Sequence, residues 1–454
     1  MENYMENILS SINSFAWGPV TIVLILGTGL FTSFILRLTH LKYFKHAIAL
    51  ISGKFDKKED KGEITHFQAL SAALSATIGT GNIAGVGTAI AVGGPGAVFW
   101  MWITAIFGMG LKYSECLLSI KYRHIDEDGV ASGGPMYYLE KGLGQKWLAI
   151  LFAAFAVIAS FGIGNMVQAN SVAEPILTHF NIPKLATGII IALVVFLVIV
   201  GGIKRIGSFA SKIVPFMAVF YVLGALIVIF MNISEIPAAL ALIVKSAFTP
   251  SSAAGGFTGA AVAQAIRMGV ARGIFSNEAG LGSAPIAHGA AKTEEPVREG
   301  LVAMLGPFID TLVICTMTAL VIIVTGAYTV EGGLSGSDLT AKAFSMGISS
   351  IGGYIVAIGI IFFAFSTIVS WSYYGDRSIS YLIGKKAVLP YRIIYCLIIP
   401  VGATTKLSTV WTISDIFNAF MAFPNLVGLL LLSPVVVKAT KEYFSNSDNL
   451  KPNN

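Results

Sequence analysis

Two short segments place polar residues in the middle of apolar sequence. One is Gly79-Thr80-Gly81-Asn82, inside the apolar stretch 66–92, and the other runs from Arg272 to Pro285 and includes Glu278. Glycine and asparagine weaken a helix, and unwound backbone at membrane depth is tolerated only where it lines a cavity. The ends of a broken helix expose amide N–H groups to an anion and carbonyl oxygens to a cation. These segments therefore suit the binding of a zwitterion together with a sodium ion.

The composition places both segments in a membrane protein. Of the 454 residues, 55% are apolar and only 12% are charged, and the mean hydropathy is +0.77. Soluble domains carry about 25% charged residues, so disorder, a disulfide-stapled secreted domain and an ordinary cytosolic enzyme are excluded. The three cysteines and six histidines form no disulfide, zinc or catalytic pattern.

The apolar stretches predict an all-α, multi-pass protein. A spanning helix needs about 20 mostly apolar residues, which gives about eleven spans. These are 17–37, 66–92, 97–120, 147–172, 185–203, 211–233, 258–290, 300–327, 350–375, 388–403 and 411–437. If the basic loop after the first span is cytoplasmic, most lysines and arginines lie inside, which is the positive-inside pattern. The sequence therefore predicts a cell-membrane protein with its N-terminus outside and its C-terminus in the cytoplasm.

The two unusual segments lie in the second and seventh spans. If the spans after the first are numbered core helices one to ten, the breaks fall in core helices one and six. Each begins a half of five helices, and because five is odd the halves cross the membrane in opposite directions. Such a 5+5 inverted repeat with broken helices is typical of one large class of secondary transporters. The predicted parts are an extra helix and basic loop at 1–64, repeats at 65–234 and 258–437, an extracellular connection at 235–257 and a cytoplasmic tail at 438–454.

Four long motifs resemble the alanine or glycine:cation symporter family. They are Thr77–Val86, Gly93–Trp102, Phe275–Ala284 and His288–Arg298, and the resemblance covers essentially the whole chain. It implies a leucine-transporter-type fold and sodium-coupled uptake of alanine or glycine across the lipid bilayer. Sodium would be the coupling ion, with no other cofactor and no nucleic-acid partner. The oligomeric state stays open.

The wider fold implies roles for residues at the first break. The backbone of Gly79, Thr80 and Gly81 would hold the substrate carboxylate, and the Asn82 amide oxygen would face a cation. Sodium is a hard ion that prefers oxygen ligands. A second sodium site would combine the Ser75 and Ile78 carbonyls with the Thr367 and Ser366 hydroxyls and the Ala364 carbonyl.

Helical spacing adds residues on core helix three. Phe161, Asn165 and Gln168 share one face, and polar amides within a span usually point inward. Gln168 therefore either binds the substrate ammonium or carboxylate or forms an interhelical hydrogen bond, and Asn165 lies on the same face.

On core helix eight, Ala364, Thr367 and Trp371 share a face. Thr367 and Trp371 would border the substrate, and Trp371 either caps a small pocket or serves packing. Together with Phe275 and Phe161, the Trp371 ring would leave little room in the pocket for a substrate side chain larger than a methyl group.

Charged groups at membrane depth define the remaining alternatives. Arg272 and Glu278 are costly there unless paired, so they are predicted to form a gating or bracing pair, unless both lie in a cytoplasmic loop. Proton coupling through Glu278 or Asp310 is the nearest alternative to sodium. A channel conflicts with inverted broken repeats, and an intramembrane enzyme conflicts with the lack of a recognisable nucleophile, base or metal set.

Overall fold

The computed structural model describes residues 2–57, 59–249, 258–405 and 407–452. The predicted connection 235–257 and tail 438–454 lie partly outside these residues. Nearly all of the described chain is helical, and the strands found in it, His124–Ile125 and Ala131–Ser132, pair antiparallel in the loop after core helix two.

Helices follow the predicted spans of the first half. The N-terminal part forms helices Glu2–Ala16, Pro19–Ile35, Thr39–Lys42 and Phe44–Leu50. Core helix one consists of His66–Thr77, Gly81–Gly85 and Val86–Gly93, and core helix two is Gly96–Tyr122. Core helix three consists of Lys146–Phe161, Gly162–Met166 and Val167–Phe180, and core helices four and five are Lys184–Ile199 and Gly202–Met231.

The second half repeats the pattern of long helices with interruptions. Core helix six is Thr258–Asn277 followed by Ala284–His288, and core helix seven runs through Pro296–Ala303, Leu305–Pro307, Phe308–Cys315 and Thr316–Val324. Core helices eight, nine and ten are Ser350–Ile383, Val388–Thr404 and Leu407–Leu431. Helices outside these spans are Pro135–Tyr137, Tyr138–Gly142, Ile233–Glu235, Ile236–Ser246, Ala327–Thr329, Gly336–Ile348, Lys385–Ala387, Ser433–Ser445 and Ser447–Leu450.

Eight helices in the described residues are long and apolar enough to cross a membrane, or nine if the bent core helix one counts as a span. The predicted spans 185–203 and 258–290 do not reach this standard. Lys184–Ile199 is apolar but has only 16 residues, fewer than the roughly 20 that a span needs, and Thr258–Asn277 carries two arginines. The structure is therefore a multi-pass helical protein, and eleven spans stay a prediction.

The first break lies at the predicted segment Gly79-Thr80-Gly81-Asn82. A capping box between Thr65 and Gln68 begins core helix one, and its first part ends at Thr77. Ile78 then adopts an extended conformation with φ −73° and ψ 92°. The helix resumes at Gly81 as a π-helix, and its two parts are bent by 54°. At the bend, the N–H groups of Gly79 and Thr80 donate to side chains rather than to helical carbonyls, and residues 78–80 are buried.

The second break follows Asn277. Glu278, Gly280 and Gly282 have φ values of 55°, 84° and 79°, and the chain resumes helical structure at Ala284. Glycine adopts this left-handed region freely, whereas it is uncommon for a glutamate. The break therefore depends on contacts that hold Glu278 in place.

Candidate functional site

Core helices one, three and eight meet at the first break. The Gly79 N–H donates to the Asn82 side-chain oxygen at 2.9 Å, and the Thr80 N–H donates to Gln168 Oε1 at 3.4 Å. A Cβ atom on Gly79 would lie 2.7 Å from Thr367 Oγ1 and 3.4 Å from Gln168 Oε1. Only a glycine permits this close approach, so the backbone of residue 79 is held directly against both neighbouring helices.

The Thr80 side chain is the polar group at this break that lacks a partner. Thr80 is 1% exposed, and its buried hydroxyl has no hydrogen-bond partner among the described residues. It lines a cavity of about 160 Å³ that also reaches Trp411, Glu174 and Asp338. A cavity of about 150 Å³ can hold a benzene-sized ligand. An unsatisfied buried hydroxyl is costly, so this space suits a small polar ligand.

Neutral oxygen atoms gather on the other side of the break. Ser366 Oγ lies 3.3 Å from the Ser75 carbonyl, and Thr367 Oγ1 lies 3.4 Å from the Ile78 carbonyl. The two hydroxyls also donate to the Phe363 carbonyl, at 2.9 and 3.0 Å. All of these atoms are hydroxyl or carbonyl oxygens, the ligand type that hard cations prefer.

Both hydroxyls reach the carbonyl of Phe363, one residue before Ala364. In a helix, a Ser or Thr hydroxyl reaches the carbonyl three or four residues before it. Residue 363 lies at those spacings from both 366 and 367, whereas residue 364 lies three residues before 367 but only two before 366. These bonds stay within core helix eight, so the Ala364 carbonyl stays a predicted ligand of the ion.

Asp310 is the centre of a separate hydrogen-bond cluster. It is fully buried on the π-helical part of core helix seven. Asn82 Nδ2 donates to its Oδ1 at 2.7 Å, and the hydroxyls of Ser276 and Thr311 each donate to its Oδ2 at 2.7 Å. The carboxylate thus joins core helices one, six and seven.

The Asn82 side chain has partners at both ends of its amide. Its amide nitrogen faces the Asp310 carboxylate, and its amide oxygen accepts from Gly79. Because an amide oxygen has two lone pairs, this bond leaves one acceptor site, and a cation facing that oxygen stays a prediction.

The two amides predicted on core helix three have different neighbours. Gln168 lies at the break, where its oxygen accepts from Thr80 and its nitrogen donates to the Ile163 carbonyl at 3.0 Å. Asn165 instead donates to the Tyr395 carbonyl on core helix nine at 2.7 Å. Asn165 therefore forms the interhelical bond, and Gln168 is the amide that lies beside the unwound backbone.

The predicted pair of Arg272 and Glu278 is wrong. Arg272 forms an ion pair with Asp415 of core helix ten at 2.9 Å, whereas Glu278 accepts from the Trp371 indole at 2.9 Å and from Ser283 at 2.6 Å. The helix ends between the two residues, and the left-handed turn at Glu278 sends its side chain toward core helix eight.

Aromatic rings surround the Arg272 ion pair. Phe275 and Trp411 stack with ring centroids 4.8 Å apart, and the Arg272 guanidinium lies 5.2 and 5.4 Å from their centroids. Phe275 also lies close to the first break, because a Cβ atom on Gly81 would be 3.2 Å from its ring. Trp411 lines the cavity beside Thr80. These groups together form a layer beside the cavity, and among them Trp411 is the one that lines it.

Sequence reasoning missed several members of the site. The hydroxyl spacing at Ser366 and Thr367 could have indicated Phe363, and a carboxylate within a span could have singled out Asp310 more strongly. The sequence offered no signal for Trp411 or for the Asp415 partner of Arg272, because that contact joins residues 143 positions apart.

The fold is similar to that of a solved Na⁺-coupled symporter. The chain superimposes on a substrate-bound, outward-open Na⁺-coupled sialic acid symporter with a TM-score of 0.51, at 12% identity, covering 92% of this chain and 87% of that one. At this identity the likeness establishes the fold alone.

The sequence comparison establishes the family. The sodium:alanine symporter family matches residues 1–453, and the chain belongs to this family. It is 51% identical to the sodium/alanine symporter AgcS of Methanococcus maripaludis, over 96% of this chain and 97% of that protein. It is 41% identical to a probable sodium/glutamine symporter of Bacillus subtilis, GlnT, over 98% of this chain and 91% of that protein. The protein is a sodium-coupled amino-acid symporter, and it performs transport rather than catalysis.

Proposed function

We propose that the protein imports alanine or glycine together with sodium by alternating access around the first break. The observation that carries this proposal is the Thr80 hydroxyl, which is buried, lacks a partner and lines a cavity of about 160 Å³. A similar chain in the family is named for alanine and another for glutamine, so the family relationship alone leaves the substrate open. The small cavity favours a short side chain.

The substrate carboxylate would bind the backbone of Gly79, Thr80 and Gly81. The bond from Thr80 N–H to Gln168 is long, at 3.4 Å, and a charged carboxylate is the stronger acceptor. A carboxylate at this point would release the Gln168 oxygen to accept from the substrate ammonium. Phe275, Thr367 and Trp371 would enclose the remainder of the ligand, with Asn165 fixing core helix three behind it.

Sodium would bind between core helices one and eight. Its ligands would be the Ser75, Ile78 and Ala364 carbonyls and the Ser366 and Thr367 hydroxyls, with the Phe363 carbonyl close to both hydroxyls. These oxygens belong to two helices, so a bound ion would hold the helices together. Thr367 lies 2.7 Å from a Cβ position on Gly79, which brings the ion site next to the substrate backbone contacts.

The arrangement in the membrane is also a proposal. Eleven spans in an extra helix plus a 5+5 inverted repeat, with the N-terminus outside, agree with breaks in core helices one and six and with the basic loops. The short core helix four, whose Leu193 and Leu197 are 63% and 64% exposed, would then face the lipid. The second half of the arginine-containing core helix six is mostly buried and would cross within the bundle. Glycine as a substrate depends on the transport measurement below.

Proton coupling is the second candidate, and the observation behind it is Asp310. This carboxylate is fully buried and is held by one amide and two hydroxyl donors, without an ion pair among the described residues. Such a group could carry a proton between the two faces of the membrane. Glu278 is the other buried carboxylate near the break, but its bonds to Trp371 and Ser283 fit a bracing role.

Uptake into proteoliposomes tests both candidates. Radiolabelled alanine and glycine should accumulate under an inward sodium gradient and not under a proton gradient alone. Excess unlabelled glutamine should compete poorly if the cavity selects a short side chain. Accumulation driven by protons in sodium-free buffer would transfer the coupling role to Asp310, and strong competition by glutamine would refute the size argument.

A further inference from the structure

A basic groove lies far from the transport site, where the first loop meets the last long helix. Its volume is about 370 Å³. One wall is the turn at 35–43 that follows the first span, and the other is the segment 437–445 of helix Ser433–Ser445. Arg37, Lys42 and Lys441 line it, and no acidic residue does.

The three cations have no acidic partner among the described residues. In the described part of the chain, none of them forms an ion pair, whereas the exposed Lys385 pairs with Asp126 and Asp128. Glu442 follows Lys441 directly but lies 3.9 Å from Lys438. Like charges in one concavity repel each other, so an anion in the groove would relieve that repulsion.

The groove is built into the fold. Arg37 and Leu38 both have left-handed backbone conformations, with φ 51° and 56°, which are uncommon for residues other than glycine. The two walls are joined by the rings of Tyr43 and Phe444, which stack with centroids 3.7 Å apart. The walls therefore have fixed positions, and the concavity between them does not depend on a bound ligand.

We propose that this groove binds the phosphate headgroup of an anionic phospholipid in the cytoplasmic leaflet. The assignment of the leaflet depends on the proposed orientation of the chain. The half-buried Val437 lines the groove beside the cations, and Phe34 just before it is 67% exposed, so an apolar surface for acyl chains adjoins the charged concavity. Basic pockets between spanning helices on the cytoplasmic side bind anionic headgroups in this way. A soluble phosphate would gain nothing from the apolar surface.

Lipid titration followed by native mass spectrometry of the purified, delipidated full chain tests the proposal. We expect phosphatidylglycerol to bind at lower concentration than phosphatidylcholine with the same acyl chains. The triple variant Arg37→Gln, Lys42→Gln and Lys441→Gln should lose this preference. At about 1 kcal/mol per cation, its affinity for phosphatidylglycerol should fall by roughly 100-fold. The matched control neutralises three exposed cations on the same proposed side, Lys54, Lys57 and Lys386, and should keep the preference.

Several outcomes of the lipid titration would overturn the proposed lipid site. Equal loss in the triple variant and the control would show that general surface charge attracts the lipid, and the groove would have no special role. Equal binding of both lipids by the unmodified chain would also overturn the proposal, whatever the variants do. In the single variant Lys441→Gln, the affinity for phosphatidylglycerol should fall about fivefold. This variant keeps the test decisive if the triple variant does not fold. Displacement of the lipid by glycerol 3-phosphate at an equal concentration would overturn the proposal, because a soluble phosphate would then bind as well as the lipid.

Discussion

The indole N–H of Trp371 donates a 2.9 Å hydrogen bond to the Glu278 carboxylate, which ties core helix eight to the break in core helix six. Trp371 is fully buried and Glu278 is 2% exposed. A Cβ atom on Gly164 would lie 2.4 Å from the Trp371 Cβ, so the tryptophan also packs directly on core helix three. Trp371 therefore supports the second break, in addition to any role as a wall of the substrate site.

The first prediction concerns this support. Trp371→Phe keeps a ring but removes the donor, which leaves a buried carboxylate with one partner fewer at a cost of about 1–3 kcal/mol. We expect a lower thermal unfolding temperature and slower sodium-driven alanine uptake. Glu278→Gln retains an oxygen acceptor for the indole and should be milder in both measurements. Unchanged thermal stability of Trp371→Phe would show that the bond contributes little.

The second prediction uses two glycines of the first break. A Cβ on Gly79 would lie 2.7 Å from Thr367 Oγ1, whereas a Cβ on Gly85 meets nothing within 4 Å. Gly79→Ala should therefore displace Thr367 and abolish sodium-dependent alanine binding, measured by isothermal titration with and without sodium. Gly85→Ala adds the same methyl group to the same helix and should bind normally. Normal binding by Gly79→Ala would show that the backbone need not approach core helix eight so closely.

The sequence predicted the first break well and the charge pairs poorly. Glycine, threonine and asparagine at the middle of a span are unfavourable for a helix. The break at Gly79-Thr80-Gly81-Asn82 can therefore be predicted from the local sequence without knowledge of any tertiary contact. Arg272 and Glu278 are close in sequence, but the helix ends at Asn277 and the chain then turns in a left-handed conformation. The true partner of Arg272, Asp415, lies on another helix, and a single sequence has no periodicity that reveals such a contact.

The third prediction concerns the layer of Arg272, Asp415, Phe275 and Trp411 beside the cavity. The side chains of Arg272 and Asp415 are only 15% and 7% exposed, and removing one partner of a buried pair costs up to about 3–5 kcal/mol. Arg272→Gln should loosen the stacked rings of Phe275 and Trp411. A cysteine at position 80 should then react faster with a thiol reagent added from outside.

The control for this layer is Arg267→Gln. Arg267 lies on the same helix and is exposed, so its loss changes the net charge equally without breaking the pair. Equal labelling of the position-80 cysteine in both backgrounds would show that the ion pair does not restrict access to the cavity.

The fourth prediction concerns topology. With the N-terminus outside, a cysteine at Ser335 should be labelled by a membrane-impermeant reagent in intact cells, and a cysteine at Lys57 should be labelled only after permeabilisation. A tag after residue 454 should also be protected in intact cells. External reaction of both cysteines would contradict the proposed orientation and the count of eleven spans.

The fifth prediction separates sodium from proton coupling. If the Thr367 hydroxyl and the Ile78 carbonyl, which are 3.4 Å apart, share a sodium ion, then losing one neutral ligand should cost about 1–3 kcal/mol. Thr367→Ala should raise the sodium concentration for half-maximal alanine uptake by roughly 5- to 150-fold, and Thr367→Ser, which keeps the oxygen, should be mild. Because coupling between two ligands is reciprocal, alanine should tighten sodium binding by the same factor by which sodium tightens alanine binding.

The matched control for Thr367 is Ser370→Ala, one turn along the same helix. The Ser370 hydroxyl is buried and has no partner among the described residues, so its removal should leave the sodium dependence unchanged. A proton-coupled carrier would behave in the opposite way, since Thr367→Ala would not alter its ion dependence and Asp310→Asn would abolish gradient-driven uptake. Unaltered sodium dependence in Thr367→Ala, together with the loss of uptake in Asp310→Asn, would move the coupling site from core helix eight to core helix seven.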